Sequence, residues 1–519
     1  MNNRILKEIS SGEEAKSVII QTVNEVANLV GSTMGFRGQN VLIEDEGGLP
    51  YFTSDGHDTM ESIFFNDPLE SLAAEVLKEA SRKTVDHAGD NTTLTIVLAR
   101  AFVNYANEAV KSGKSPIDVK AEIEESRDKI IEYLHSISIK ADAGLIYSVA
   151  KTSAHGDEEI AKTVSDAFKK AGENGNVAHF RSDTDETKLE YIDGSLVEGG
   201  YVDERFINVQ ADRTCFYDNP IIVASDINFK TGDQILPFLK FAVDNKRNIV
   251  FISAMEFHVK EMILTNVLNG NVNAVIINPP SFGKKRRESL QDIAMVCGTN
   301  MISTLSGDRF ENRYAEFLGN AKSISVGKDD TVIVPSEEID RKPVDSKIEE
   351  LKAEMLKSEI LLEKIHLKDR ISKLHGGVSI IKVGGHTPSE IRERLSRFDD
   401  AVKAVKSAIE EGVVAGGGAA LIKCLIDLVD LDDVTTSAIK SPMEQILKNA
   451  SVKDKPDITA FEYPNAYDVK DYKIVNMIEA GIVDTVKGIR YALTNAVSVS
   501  NSILMTNFTI TNKRRDNGI

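Results

Sequence analysis

The sequence predicts a multidomain α and α/β protein, in which an α/β unit is inserted into a mainly helical domain built from both ends of the chain. Three observations lead there. At 519 residues the chain exceeds what one ordinary core can hold. Both ends carry apolar residues at helical spacing. The middle instead alternates short apolar runs of the buried-strand kind with helical segments.

In chain order, residues 13–30 place Ala15, Val18, Ile19, Val23, Val26 and Val30 at helical spacing. Glycines then break the chain in GSTMGFRGQNVLIEDEGGLPYFTSDG, residues 31–56, with short strands around Val41–Ile43 and Pro50–Thr53. A second helix runs from Leu69 through Leu72, Val76, Leu77 and Ala80, opened by Pro68 after Asp67. Next comes DHAGDNTTLTIVLARAF, residues 86–102, which has two readings. Asp90, Asn91 or Thr92 could cap an ordinary helix. The same free N–H groups could also receive an anion, with Asp90 holding a cation beside it.

From about residue 193 to 376 the pattern is α/β. NPIIVASD, RNIVFIS and NAVIINPP alternate with helices at 231–245 and 256–269. The run GKKRRES, residues 283–289, reads as a solvated turn, and residues 345–374 as one charged helix with an approximate stripe of Ile348, Leu351, Met355, Leu362 and Ile365. A long helix returns at 391–413, and all-helical character is expected from there to about 505, interrupted by FEYPNAYDVKD.

Composition narrows the function. Acidic residues number 80 against 62 basic, a net charge of -18, so nucleic acid is not an expected partner. The cysteines Cys215, Cys297 and Cys424 are far apart and form no CxxC, against a disulfide framework or structural zinc. The first 30 residues are acidic and lack an apolar h-region, and no apolar run reaches the length of a membrane span. Cytoplasmic localisation, without a membrane partner, is the expectation.

Four spots invite chemistry: the loop Gly35–Asn40, the turn Ser54-Asp55-Gly56, the stretch Ala88–Thr93 and the triple glycine 416–418. Each alone also reads as a plain turn or a close helix approach. No Walker A pattern occurs, so any nucleotide site needs another geometry. Asp400, within its amphipathic helix, reads as solvated surface, and the histidines, His155 among them, show no paired metal spacing.

Together these stretches resemble the group I chaperonins of the GroEL type over nearly the full chain. TMGFRGQNV, residues 33–41, matches the family's phosphate loop TLGPKGRNV; TSDG, residues 53–56, matches TKDG; AGDNTTL, residues 88–94, matches AGDGTTT. KLHGGVSIIKVGG, DDAVKAVKSAIEEGVVAGGGAAL and FGKKRRESLQDIA follow three further family stretches. The resemblance implies an equatorial ATP-binding domain from 1–136 and 411–519, an intermediate hinge from 137–192 and 377–410, and an apical substrate-binding domain at 193–376. It implies an ATPase that binds non-native polypeptide at the mouth of a homo-oligomeric, heptameric ring (single or stacked), using ATP, Mg2+ and K+, commonly with a lid-like co-chaperonin.

By the same likeness Asp400 positions the attacking water, and Asp55 is a second catalytic acid, near the γ-phosphate and implicated in hydrolysis. Asp90 binds magnesium. Thr33, Met34 and Gly35 form the phosphate loop, with Thr33 also a weak match to the potassium site, and Asn91, Thr92 and Thr93 open the facing helix. Gly417 and Asp484 match residues around adenine and ribose, and Asn465 with Ala466 the base-contacting segment. Polypeptide contacts map to Tyr201, Phe206, Leu236, Leu239, Val243, Ile263, Leu264 and Val267, although such stripes also serve to pack helices on a sheet. Departures from the family are Phe36 for proline, Ser54 for lysine and Asn91 for glycine near the nucleotide, and Arg205, Lys240 and Thr265 in the apical region. The terminal TNKRRDNGI lacks Gly-Gly-Met repeats, and divergence this broad suggests a phage-encoded or specialised copy. Two functions stay open: an ATP-driven folding chamber, or a passive holdase or structural ring without productive ATP cycling.

Overall fold

The computed structural model describes residues 7–44, 48, 50–154, 156–172, 176–182, 184–210, 213–303, 313–358, 361–454 and 456–512, without the side chains of 361, 362, 388 and 389. His155, the Leu362 side chain and the last seven residues of the terminal basic stretch lie outside the described set. Two compact units result: Met1–Ala161 with Asp400–Ile519, and Lys162–Asp399.

In the first unit, helices Val486–Met505 and Thr92–Lys111 pack along each other, and helices Gly12–Gly31, Pro68–Ala88 and Pro116–Ile137 surround them. The apolar stripes read from the sequence face inward: Val23, Val30, Leu77, Leu98, Phe102, Leu493 and Val497 share one buried cluster. Each such large side chain contributes roughly 1.5–3 kcal/mol through burial. Asp67 starts the 68–88 helix by accepting from Leu69 N–H at 2.8 Å and Glu70 N–H at 3.0 Å. Strands Lys7–Ser11 and Phe508–Asn512 pair antiparallel, as do Val41–Glu44 and Pro50–Thr53.

The second unit centres on a seven-stranded sheet among the described residues. Strands Ile221–Ala224, Ile249–Ile252 and Ala274–Ile277 are its parallel part, with every residue buried. Apolar runs without polar alternation suit strands covered on both faces, as parallel strands are. Helices Gly232–Asp244 and Phe257–Leu268 are the crossovers between them.

Several expectations need correction. GKKRRES is the opening of helix Gly283–Val296, begun from an extended Phe282, rather than a turn. The single charged helix is two, Lys342–Lys357 and Leu361–His375, because Ser358 leaves the helical region at ψ 138. Strand Asn465–Asp468 lies in the expected FEYPNAYDVKD interruption, but the rest of the stretch after 413 is not all-helical either: strands Val413–Ala415, Lys473–Asn476 and Val483–Thr485 also interrupt it. At three or four residues each, they are too short to display a two-residue period. The three cysteines are free and buried, and burial pushes their thiols up to about 12, so they are packing residues. No helix among the described residues is long and apolar enough to cross a membrane.

Candidate functional site

The start of the 92–111 helix is built by two left-handed residues. Gly89 ends the preceding helix at φ +77, donating its N–H to Val85 O at 2.8 Å. A Cβ there would come within 2.1 Å of Lys403 Cβ, so only glycine lets the Pro388–Glu411 helix lie this close. Asn91 occupies the N-cap position at φ 76 and ψ 21, but its side chain makes no capping bond. Of the cap candidates, Asn91 holds the N-cap position through its backbone rather than through its side chain. Asn91 N–H instead donates to the Asp90 carboxylate, fixing that side chain beside the helix end. Asn91 adopts the left-handed conformation that the family's glycine permits, and asparagine tolerates it better than most residues.

Two further segments converge on this end. After the 12–31 helix the chain turns through Gly35 at φ +82, with Gly38 N–H on Gly35 O at 2.8 Å and Gln39 N–H on Ser32 O at 2.9 Å. A Cβ on Gly38 would meet Thr33 O at 2.0 Å, so the turn requires glycine there. Asn449 pins the loop from behind, donating to Gly31 O at 2.8 Å and Met34 O at 2.9 Å. Thr33 and Thr93 hydroxyls stand 3.5 Å apart. Asp55 caps the short helix Gly56–Glu61 through Asp58 N–H at 2.7 Å, and a Cβ on the next residue, Gly56, would lie 2.2 Å from Thr93 Oγ1. Thr33, Asp55-Gly56 and Thr92-Thr93 thus surround one helix end.

The fourth glycine-rich spot arrives through a strand pair. Val413–Ala415 runs antiparallel to Val483–Thr485, with Val414 opposite Asp484. The triple glycine follows, with Gly417 and Gly418 both at positive φ, and the Gly417 backbone N–H favours the ionised form of Asp484. Asn465 donates its N–H to Glu462 O at 2.8 Å, and Ala466 is buried in the same cluster as Ala415 and Ala419, on either side of the glycines. Asp400 is half-buried rather than fully solvated. It precedes by one helical turn Lys403, whose Cα and Cβ border Gly89, and Ser407 Oγ donates to Ala88 O at 3.2 Å.

Electrostatics single out Asp484. Burial, followed by the nearby Asp90 carboxylate, pushes it up to about 7 against the partial relief of Gly417 N–H. The unfolded chain releases this proton near 3.8, whereas the folded chain holds it to about 7. Between those values the folded state binds more protons, so this group's contribution to stability falls as pH rises. D484N is expected to melt close to wild type at pH 4 and progressively above it towards pH 8, without nucleotide or metal. Parallel melting curves across that range would contradict the assignment.

In the second unit burial divides the polypeptide-contact candidates. Leu236 and Val243 are 56% and 49% exposed, whereas Leu239, Ile263, Leu264, Tyr201 and Phe206 are buried in the sheet's own core. The helix faces carrying Leu239, Ile263 and Leu264 lie on the parallel strands, and Tyr201 and Phe206 pack into the same cluster. Val267 is partly buried against it. Periodicity did not single out Phe257, 77% exposed, or Leu268, 62% exposed, at the two ends of the 257–268 helix. Lys403 also went unremarked, since a contact with Gly89 leaves no local signal.

Among known proteins, the TCP-1/cpn60 chaperonin family model matches residues 26–514. The crystal structure of the chaperonin gp146 from bacteriophage EL 2 (Pseudomonas aeruginosa), in presence of ATP-BeFx, superposes with a TM-score of 0.75 in crystal form II. It is 21% identical, covering 98% of this chain and 99% of that one. Crystal form I of the same protein gives 0.70 at the same identity and coverage. The similarity spans the whole fold.

Proposed function

The chain belongs to the TCP-1/cpn60 chaperonin family, and from that premise we propose how this ATP-dependent chaperonin, an ATPase, uses the residues gathered at the 92–111 helix. The observation that carries the reading is their convergence: the Thr33 loop, Asp55-Gly56 and Asp90 meet around one helix end, with Asp484 near enough to feel the Asp90 charge. That end presents N–H groups and the positive pole of a 20-residue helix, suited to phosphate.

The site also suits a hard cation. The Asp90 carboxylate lies close enough to Asp484 to oppose its ionisation, so two carboxylates neighbour the helix end. Asp90 would hold Mg2+, which when bound neutralises phosphate charge. Thr33 is the proposed K+ contact. Thr92 and Thr93 orient the phosphates, Gly417 and Asp484 the ribose, and Asn465 with Ala466 the base. Asp55 stands at the γ-phosphate end, and Asp400 orients the attacking water. Asp400 lies where the chain passes from one compact unit to the other, so hydrolysis would depend on the position of its helix.

The finer organisation is proposed likewise: equatorial, intermediate and apical domains at the boundaries given above, a seven-membered ring, and action in the cytoplasm on non-native polypeptides. The exposed Leu42 and Phe52 of one hairpin, and Ile9, Phe508 and Ile510 of the terminal strand pair, support association between copies, since such patches seek cover. Asn91 keeps the backbone conformation that the family's glycine would adopt, which favours ATP cycling over a passive holdase.

Refolding of an aggregation-prone client tests the function. Yield is expected to rise several-fold with ATP over a non-hydrolysable analogue. Equal yields would leave a holdase.

A further inference from the structure

One stripe of the 232–244 helix carries a charge pattern with consequences for what binds there. Ile235, Phe238, Leu239 and Ala242 are buried against the sheet. The opposite side presents Asp233, Leu236, Lys240, Val243 and Asp244, all exposed. Positions 236, 240 and 243 are neighbours at i, i+4 and i+7, so a cation stands between two apolar side chains.

The neighbouring helix leaves that cation dominant. Met262 of the 257–268 helix reaches the start of this one, where a Cβ on Gly232 would lie 2.9 Å from its sulfur. The acid one residue before it, Glu261, is taken by Arg205 at 2.8 Å, which also holds Asp203 at 2.6 Å. Glu256 accepts from Asn228 at 2.9 Å. His258 is exposed and Lys260 half-buried, and neither adds negative charge. Lys240 forms no ion pair within 4.0 Å among the described residues. Asp233 and Asp244 lie along the axis at about 10 and 6 Å from it, from the rise of 1.5 Å per residue.

We propose that Lys240 is a specificity-determining residue for captured polypeptide, selecting apolar segments that carry one carboxylate between two apolar side chains. The inference rests on reading this face as the client site. A central acid meets Lys240 while its flanking apolar groups cover Leu236 and Val243. An acid at either end of the segment meets Asp233 or Asp244 and is disfavoured, so the preference is for charge placement rather than general acidity.

The test is fluorescence anisotropy on the assembled full chain with labelled amphipathic peptides differing only at the centre: Glu, Gln or Lys. The Glu peptide is expected to bind about three-fold tighter than Gln and the Lys peptide about three-fold weaker at low salt, as suits an exposed charge pair. The spread should shrink at high salt. K240Q should erase the order and K240E invert it, with the Gln peptide as internal reference in each. Equal affinities for the three peptides, with binding intact, would overturn the proposal and leave polypeptide capture standing. Failure of all three to bind would overturn the client-site reading along with it.

Discussion

Replacing Asp400 by alanine is expected to lower kcat for ATP hydrolysis by about 10²-fold or more, the usual worth of a group that orients or deprotonates an attacking water. ATP affinity should stay within about two-fold, because the side chain is assigned to the water rather than to the nucleotide. The geometry behind this is the seat of the helix: Lys403 lies against Gly89, Ser407 bonds Ala88 O, and Asp400 precedes them by a turn. D400N should lose almost as much, since it keeps the shape and loses the charge. A wild-type rate in both variants, measured in steady state, would remove Asp400 from the reaction.

Asp90→Ala carries the second large effect, on binding. Asp90 is anchored by Asn91 N–H at the mouth of the 92–111 helix, the position proposed above to hold Mg2+. Its loss should weaken ATP binding in magnesium by roughly 10²-fold, judged from the cost of disturbing a metal site. Calorimetry with ATP and Mg2+ reads this directly. The same substitution removes a negative neighbour of Asp484, so that carboxyl should ionise at lower pH. The pH-dependent stability gap between wild type and D484N should correspondingly narrow in the Asp90→Ala background. The paired outcome, weaker nucleotide and an easier Asp484, separates a cation ligand from a residue that merely holds the turn.

Much of this fold is readable from local patterns. The fully buried strands 221–224, 249–252 and 274–277 announce themselves as unbroken apolar runs, and the first-unit helices as 3.6-residue stripes. What escapes is what depends on distant partners. Gly89 reads as a helix stop in any sequence, but its necessity comes from Lys403, more than 300 residues away. Asp484 lies in a three-residue strand with no period to betray it, and its perturbed proton comes from burial and from Asp90. On the 232–244 helix the apolar positions are plain, yet only the sheet decides that Leu239 is spent on the core while Leu236 and Val243 remain open. The site residues were found by their motifs, and their grouping around one helix end is a property of the packing.

In the proposed cycle this chain couples ATP hydrolysis to the refolding of bound polypeptide. One experiment addresses it most directly: ATP turnover and client refolding measured in the same samples of assembled wild type and D400A, with Mg2+ and K+. Turnover and refolding that fall together in D400A, while client capture persists, are the predicted result. Refolding by D400A at the wild-type yield, or a wild-type assembly that captures client yet turns over no ATP, would contradict the claim.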